Sequence, residues 1–184
     1  MKRAVVGTAG VMAALGIGLL AFAAADGTTG DSKAGTQARQ GDAVADRLKR
    51  FDELDFDVFS NQKWDRLSES HADDIVVTWP DGHRTKGIQK HIEDLKGMFV
   101  YAPDTRIAVH PIKFGSGEWT CVTGVMTGTF SRPMPTPDGK TIPPTQKPFK
   151  ITMATIARWK DGKMIEESLF WDNQDFLRQI GLAR

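Results

Sequence analysis

The dipeptide Asp161-Gly162 lies between two long strand-like stretches, at about 147–160 and 163–172. Asp-Gly between two such stretches is one of the strongest short-range signals for a two-residue β-hairpin. The last third of the chain therefore predicts a pair of long antiparallel strands. Any fold proposed for this chain has to contain that pair and cover one of its faces.

Helical patterns precede these strands. Apolar residues recur at three- and four-residue steps and predict a helix over about 42–59, a shorter turn around Trp64 and a helix from Ile88 to Phe99. Further strands are predicted at about 74–79, 106–114 and 118–130. Helices followed by a run of antiparallel strands indicate an α+β fold, with the helices on one face of a curved sheet. Such a sheet forms a conical, open-ended barrel whose mouth is a common small-molecule site.

The first 25 residues have the composition of a targeting segment. Two cations at Lys2 and Arg3 precede an uncharged run, Ala4–Ala25, with small residues at its end. This pattern predicts a secretory signal peptide over 1–25, and an uncleaved N-terminal anchor is the alternative. We expect an extracytoplasmic protein, periplasmic or secreted, that contacts a membrane only through this segment. Residues 26–41 have the composition of a flexible linker, and 42–184 form one domain.

The charge balance and the single cysteine limit the partners and the covalent cross-links that this chain can have. The chain has 24 basic and 23 acidic side chains and no dense basic block, so we expect no nucleic-acid partner. Cys121 is the only cysteine and cannot form an intramolecular disulfide. The domain must therefore be stabilised by packing.

Asp172 is the first candidate for chemistry, because it ends an apolar strand beside Phe170 and Trp171. A carboxylate in such a place is partly desolvated, which raises its pKa and suits it to proton transfer. Strict alternation along the strand would place Asp172 on the same face as Glu166 and Phe170. The alternative is that Asp172 only caps the short helix that follows.

An ordered series of motifs carries a resemblance to a known family. The series comprises Trp64, Trp79-Pro80-Asp81-Gly82, Gly124–Thr129, Pro135–Lys140, Asp161-Gly162-Lys163, Glu166, Asp172 and Gln179-Ile180-Gly181. From about Asp42 to Leu182 the chain resembles the SnoaL-like polyketide cyclases, or ester cyclases, of the nuclear transport factor two-like superfamily. The resemblance implies a cone-shaped α+β barrel with an apolar pocket, Asp172 as the acid/base residue and a homodimer formed through the exposed sheet face. The chain departs from the characterised cyclases in having no histidine after His110.

The remaining candidates concern the pocket wall. Trp79, Trp119, Met126, Met153 and Phe170 are candidate substrate-binding residues, although core packing explains each nearly as well. His83 follows the Pro-Asp-Gly turn and could reach the pocket mouth, or could simply be an exposed turn residue.

The chain offers no cofactor motif, and its histidines, His71, His83, His91 and His110, have no metal-type spacing. We therefore expect no cofactor and no metal site. Two functions remain. One is an exported enzyme that performs acid/base chemistry on a small carbonyl-containing substrate, by cyclisation, isomerisation or hydrolysis. The other is a non-catalytic protein that binds a small apolar molecule.

Overall fold

The structure is a computed structural model and describes residues 29–184. The predicted signal peptide, 1–25, lies outside the described residues. Within 29–184, no helix combines the length and the apolar composition that a membrane span needs.

Helices supply one layer of the fold. Helix α1 leads directly into a π-helical turn, and the helical elements are α1 (Thr29–Glu53), the π-helical turn (Leu54–Phe59), a 3₁₀ helix (Trp64–Glu69), α2 (Ile88–Tyr101) and α3 (Asn173–Gln179). Helix α1 begins earlier than the predicted start near 42, so the backbone of the predicted linker is helical from Thr29 on. That this stretch serves as a tether stays a prediction.

Strands supply the other layer. They are β1 (His71–Thr78), β2 (Arg84–Lys86), β3 (Arg106–Ile107), β4 (Lys113–Ser116), β5 (Trp119–Thr129), β6 (Met134–Pro135), β7 (Thr141–Ile142), β8 (Pro148–Lys160) and β9 (Lys163–Phe170). The main sheet has the order β2-β1-β9-β8-β5-β3, with β4 also paired to β5. Strands β1 and β9 run parallel, and the other neighbours in this sheet are antiparallel. The predicted hairpin at Asp161-Gly162 is confirmed, because Lys160 pairs with Lys163 across it.

The core lies between the inner face of the curved sheet and the helices. Phe51 and Leu54 from the first helical stretch pack into the same buried cluster as Val122, Ile151 and Trp159 from the strands. The sheet ends at β2 and β3 and does not close on itself. The predicted α+β class, with a curved and mainly antiparallel sheet around N-terminal helices, is confirmed.

A β-bulge in β9 changes which side chains face the core. Trp159 pairs with Met164, yet the preceding Arg158 pairs with Glu166, so Ile165 is an extra residue in β9. An extra residue shifts the alternation by one position. Glu167 is therefore buried, whereas Phe170 is exposed. The predicted shared inner face of Glu166, Phe170 and Asp172 is wrong for this reason.

The predicted strand 106–114 is also interrupted. Strands β3 and β4 flank a segment, 108–112, that contains His110 and Pro111. Pro111 has no backbone N–H and cannot donate to a ladder. The segment still accepts two bonds from β5, from the Val125 N–H to the Val109 carbonyl (3.2 Å) and from the Thr123 N–H to the Ile112 carbonyl (2.8 Å). The break leaves the ring of His110 against α1.

Candidate active site

A cavity of about 320 Å³ lies between the helices and the inner face of the sheet. Its wall is mostly apolar. The lining residues are Leu54, Asp55, Phe59, Leu67, His71, Trp79, His91, Asp94, Leu95, Gly97, Met98, Tyr101, Ile107, Met126, Met153, Thr155, Glu167, Leu169 and Trp171. Two indole rings, Trp79 and Trp171, meet edge to face in this wall with centroids 6.4 Å apart. The cavity suits a small molecule with a flat or ring-shaped apolar body.

Three ionisable side chains converge in the cavity wall. His71 opens β1, His91 lies on α2 and Glu167 follows the bulge in β9. The Glu167 Oε2 atom is 3.3 Å from His91 Nε2 and 3.8 Å from His71 Nε2. The exposed fractions of the three residues are only 2%, 2% and 6%. We call these three residues the His-His-Glu cluster.

Hydrogen bonds fix the ring of His71. Its Nδ1 atom is 2.9 Å from Ser70 Oγ and 3.3 Å from the Leu67 carbonyl oxygen. Ser70 Oγ itself donates to that carbonyl, so Nδ1 satisfies both contacts if it carries the proton. We assign this tautomer, which leaves the lone pair of His71 Nε2 aimed at Glu167.

Several buried polar atoms of the cluster have no hydrogen-bond partner among the described residues. These are His71 Nε2, His91 Nδ1 and Glu167 Oε2, and the nearby Asp94 Oδ2 shares this property. A buried polar atom without a partner is costly, and native structures contain few of them. Their concentration at one cavity indicates a place that a polar ligand group or an ion completes.

Burial shifts the pKa of one member of the cluster. It lowers the pKa of His91 to about 4, so the ring is neutral at neutral pH. A neutral imidazole therefore lies beside the carboxylate of Glu167, with 3.3 Å between His91 Nε2 and Glu167 Oε2.

A second polar group reaches the cavity through Asp55. The Asp55 Oδ2 atom is 2.9 Å from His110 Nε2, and the other ring nitrogen of His110 is 2.8 Å from Asp52 Oδ1. Lys113 Nζ in turn contacts Asp52. The side chain of Asp55 is 13% exposed and that of Asp52 is 28% exposed, whereas the His110 ring between them is only 1% exposed. We call Asp55, His110 and Asp52 the Asp-His-Asp chain; it joins the cavity to the surface.

The three residues of the Asp-His-Asp chain have pKa values shifted in different directions. Burial raises the pKa of Asp55, and the hydrogen bond from His110 offsets only part of that rise. Burial alone would lower the pKa of His110, but its two carboxylate partners raise the pKa above its ordinary value. Burial alone would raise the pKa of Asp52, but the hydrogen bonds from Lys113 and His110 outweigh it and lower that pKa. Asp55 thus has the raised pKa that suits a buried proton carrier.

The predicted inward orientation of Asp172 is wrong. Its side chain is exposed and caps α3, with Oδ1 accepting from the backbone N–H groups of Gln174 (2.8 Å) and Asp175 (3.0 Å). The bulge at Ile165 gives the inward positions to Glu167, Leu169 and Trp171 instead. The capping alternative therefore describes the position of Asp172.

The other predicted site residues divide into two groups. Trp79, Met126 and Met153 line the cavity, and their binding of a substrate stays a prediction. His83 is outside the lining, where it stacks on Trp79 with ring centroids 5.8 Å apart and contacts Asp81. Trp119 and Phe170 are 46% and 51% exposed on the outer face of the sheet, so the predicted wall position is wrong for both.

Sequence reasoning missed Asp55 and Glu167 and gave His71 and His91 no functional role. For two of them a signal existed. Asp55 follows Phe51 by four residues and so lies on the predicted apolar stripe of the first helix, and His91 precedes Leu95 by four on the stripe of the next. A charged or polar residue in such a stripe is buried. Glu167 gave no comparable signal, because its orientation depends on the bulge.

The fold is an α+β fold in which a curved sheet and helices enclose a cavity of small-molecule size. The chain belongs to the SnoaL-like polyketide cyclase family, whose sequence model matches residues 49–180. Membership indicates a small-molecule function of the cyclase or isomerase kind. None of the curated proteins matches the chain.

Solved structures share the fold at low sequence identity. A candidate SnoaL-like polyketide cyclase from Jannaschia sp. is 19% identical, with a TM-score of 0.66 over 77% of this chain and 96% of its own. IdmH, a candidate polyketide cyclase from Streptomyces antibioticus, is 22% identical, with a TM-score of 0.62 over 73% of this chain and 98% of its own. A protein from Catenulispora acidiphila with a ketosteroid isomerase-like fold, in complex with trimethylamine, is 16% identical, with a TM-score of 0.55 over 68% and 88% of the two chains.

Proposed function

We propose that this protein binds a small, largely apolar carbonyl compound in its cavity and moves a proton on that compound, with Asp55 as the proton carrier. The observation that carries this proposal is the position of Asp55. It lines an apolar cavity, and His110 links it to Asp52 near the surface. Return of the proton to a different atom isomerises the compound, and attack of the resulting enolate carbon on a second electrophilic carbon of the same compound closes a ring.

Each group has a defined task in this proposal. Ionised Asp55 takes a proton from the carbon next to the carbonyl, and protonated Asp55 returns a proton to the substrate at the same or another atom. Both ring nitrogens of His110 lie against carboxylates, so the ring carries a proton on each and stabilises Asp55 in its ionised form. His91 lies in the other polar part of the wall, and its neutral ring carries one N–H that could donate to the carbonyl oxygen.

The cavity supports a substrate of modest size. Its volume of about 320 Å³ lies at the lower end of the range for small-molecule sites, roughly 300 to 1,000 Å³. Exclusion of water by the aromatic and methionine side chains strengthens the electrostatic influence of Asp55 on a bound molecule. A one- or two-ring compound with a single carbonyl group fits these conditions.

Deuterium exchange into 2-tetralone, a small apolar ketone, tests the proposal without knowledge of the natural substrate. The full chain should accelerate exchange at the carbon next to the carbonyl, as followed by NMR in heavy water. Asp55→Asn keeps the shape and removes the proton carrier, so the accelerated rate should fall by roughly 10² to 10⁴. Asp172→Asn is the matched control and should leave the rate unchanged.

Two results contradict the proposal. One is an unchanged exchange rate in Asp55→Asn. The other is a lack of exchange above buffer in the unsubstituted chain. If 2-tetralone then still binds, as shown by quenching of Trp79 and Trp171 fluorescence, the non-catalytic binding function is supported instead. The apolar wall by itself favours that second function.

We also propose a homodimer through the outer face of the sheet. Four large apolar side chains are exposed on that face: Phe114, Trp119, Ile156 and Phe170. Phe114 and Ile156 both pair with Cys121, one from each side of β5. Trp119 lies two residues before Cys121 on β5, and Phe170 pairs with Ala154, two residues before Ile156 on β8. A second copy of the chain would cover them.

The extracytoplasmic location stays a proposal that rests on Ala4–Ala25. The amino-terminal sequence of the protein purified from its own cells would test it.

A further inference from the structure

We propose that His71, His91 and Glu167 bind one divalent transition-metal ion, of the kind that zinc represents, in the wall of the cavity. The proposal concerns the His-His-Glu cluster alone. It does not require Asp55 to carry a proton, and metal binding is measured without any substrate.

The distances within the cluster match a metal site. One ligand atom from each side chain can be chosen so that all lie within 4.8 Å of one another. Glu167 Oε2 is 3.3 Å from His91 Nε2 and 3.8 Å from His71 Nε2. Zinc binds nitrogen and oxygen at about 2.0–2.2 Å, so two ligand atoms in a tetrahedral site are roughly 3.4 Å apart. Small side-chain rotations would bring the three atoms to this spacing.

The ring of His71 is held as a metal ligand is held. A histidine that binds a metal through one ring nitrogen commonly donates the other N–H to a backbone carbonyl or a similar acceptor. His71 Nδ1 faces the Leu67 carbonyl and Ser70 Oγ in this way, at 3.3 and 2.9 Å. The free lone pair of His71 Nε2 then points at the carboxylate.

The arrangement needs a positive charge between these atoms. The lone pair of His71 Nε2 and the carboxylate oxygen of Glu167 face each other, and neither atom has a hydrogen-bond partner among the described residues. Two acceptors that are both buried repel each other and lose their hydration. A metal ion bound between them would remove both costs.

The ligand atoms select the kind of metal. Two imidazole nitrogens and one carboxylate oxygen suit zinc and its first-row neighbours, whereas calcium and magnesium prefer oxygen ligands. Three protein ligands leave at least one coordination position free, which is the pattern of a catalytic site. All three residues line the cavity, so a carbonyl oxygen could take that position and be polarised there.

Titration of the chelator-stripped full chain with Zn²⁺ tests the proposal, with calorimetry as the readout. We expect about one Zn²⁺ per chain, in line with a single three-ligand site. Glu167→Gln and His71→Gln each remove one ligand and should weaken binding by at least about tenfold. His83→Gln is the matched control, since His83 is 54% exposed and lies outside the cavity wall, and it should bind Zn²⁺ as the unsubstituted chain does.

A crystal of the unsubstituted chain grown with Zn²⁺ avoids the risk that a substitution unfolds the protein. An anomalous-scattering peak between His71, His91 and Glu167 supports the proposal. A peak that lies elsewhere, the absence of a peak, or unchanged Zn²⁺ affinity in both cluster variants overturns it.

Discussion

At the scale of single residues, Asp55 is a cavity-lining carboxyl group whose pKa burial raises. The hydrogen bond from His110 offsets only part of that rise. A raised pKa suits a largely enclosed carboxyl group to exchange protons with a bound molecule. On this basis Asp55, and not Glu167 of the His-His-Glu cluster, is the proposed proton carrier.

The Asp-His-Asp chain predicts a pH-dependent contribution to stability. The pKa of His110 is raised from its ordinary 6.5, so its stabilising effect is complete below about pH 6.5 and is lost as the pH rises through the higher folded value. The lowered pKa of Asp52 limits the effect at the acid end, below its ordinary 3.8. The ionisable groups that face His110 are Asp52 and Asp55. Lys113 acts on it through Asp52, and the nearby side chains of Glu167 and His71 act through Asp55.

His110→Gln should therefore lower the free energy of unfolding by roughly 1.5–3 kcal/mol, the usual value of a hydrogen bond to a charged group. The loss should be largest just below about pH 6.5 and should shrink at higher pH. It should also shrink toward acid pH as Asp55, whose pKa is raised above its ordinary 3.8, takes up a proton. Urea unfolding of both proteins over a pH series measures it. A difference that stays constant with pH would show that His110 is not charged in the folded state.

At the scale of elements, three side chains of the proposed site lie at irregularities of the secondary structure. Asp55 lies in the π-helical turn Leu54–Phe59, Glu167 follows the bulge in β9, and His110 lies in the break between β3 and β4. π-turns and bulges recur near functional sites because they redirect a side chain. Here they turn polar groups into an otherwise apolar interior.

Regular elements could be predicted from the sequence, and these irregular ones could not. The hairpin at Asp161-Gly162 and helix α2 follow from turn chemistry and from apolar spacing, which are local properties. The bulge at Ile165 depends on how β9 pairs with two neighbours at once: β8, which precedes it in the hairpin, and β1, which is distant in sequence. Strict alternation along β9 predicted an inward-facing acid at Asp172. The bulge shifts the alternation by one residue, so the inward-facing acid is Glu167 instead.

Helix α3 offers a test of the position of Asp172. Asp172→Ala removes both hydrogen bonds to the first turn and should lower the free energy of unfolding by about 0.5–2 kcal/mol. Asp172→Ser keeps a capping oxygen and should recover most of the loss. Neither variant should change deuterium exchange into 2-tetralone. A loss of exchange in Asp172→Ser, with stability retained, would return Asp172 to the site.

At the scale of the whole molecule, the sheet separates two surfaces with different tasks. The inner face and the helices enclose the cavity, whereas the outer face exposes Phe114, Trp119, Ile156 and Phe170. A continuous exposed apolar surface on a folded domain commonly marks a site of association. Two copies joined face to face would bury these side chains and leave both cavities free.

Sedimentation analysis tests this arrangement. We expect the full chain to be a dimer, and Ile156→Glu to favour the monomer because it places two charges in the centre of a symmetric interface. Val100→Glu is the matched control, since Val100 is a similarly exposed apolar residue on α2. A dimer that persists in Ile156→Glu would move the interface to another surface.

The central claim is that a carbonyl compound binds inside the cavity, between Asp55 and the His-His-Glu cluster. A crystal structure of the chain soaked with 2-tetralone tests it most directly. The account predicts the ketone against Trp79 and Trp171, with its oxygen toward His91 and the adjacent carbon within reach of Asp55. An empty cavity, or a ketone bound only at the exposed start of α3 beside Asp172, would contradict the account.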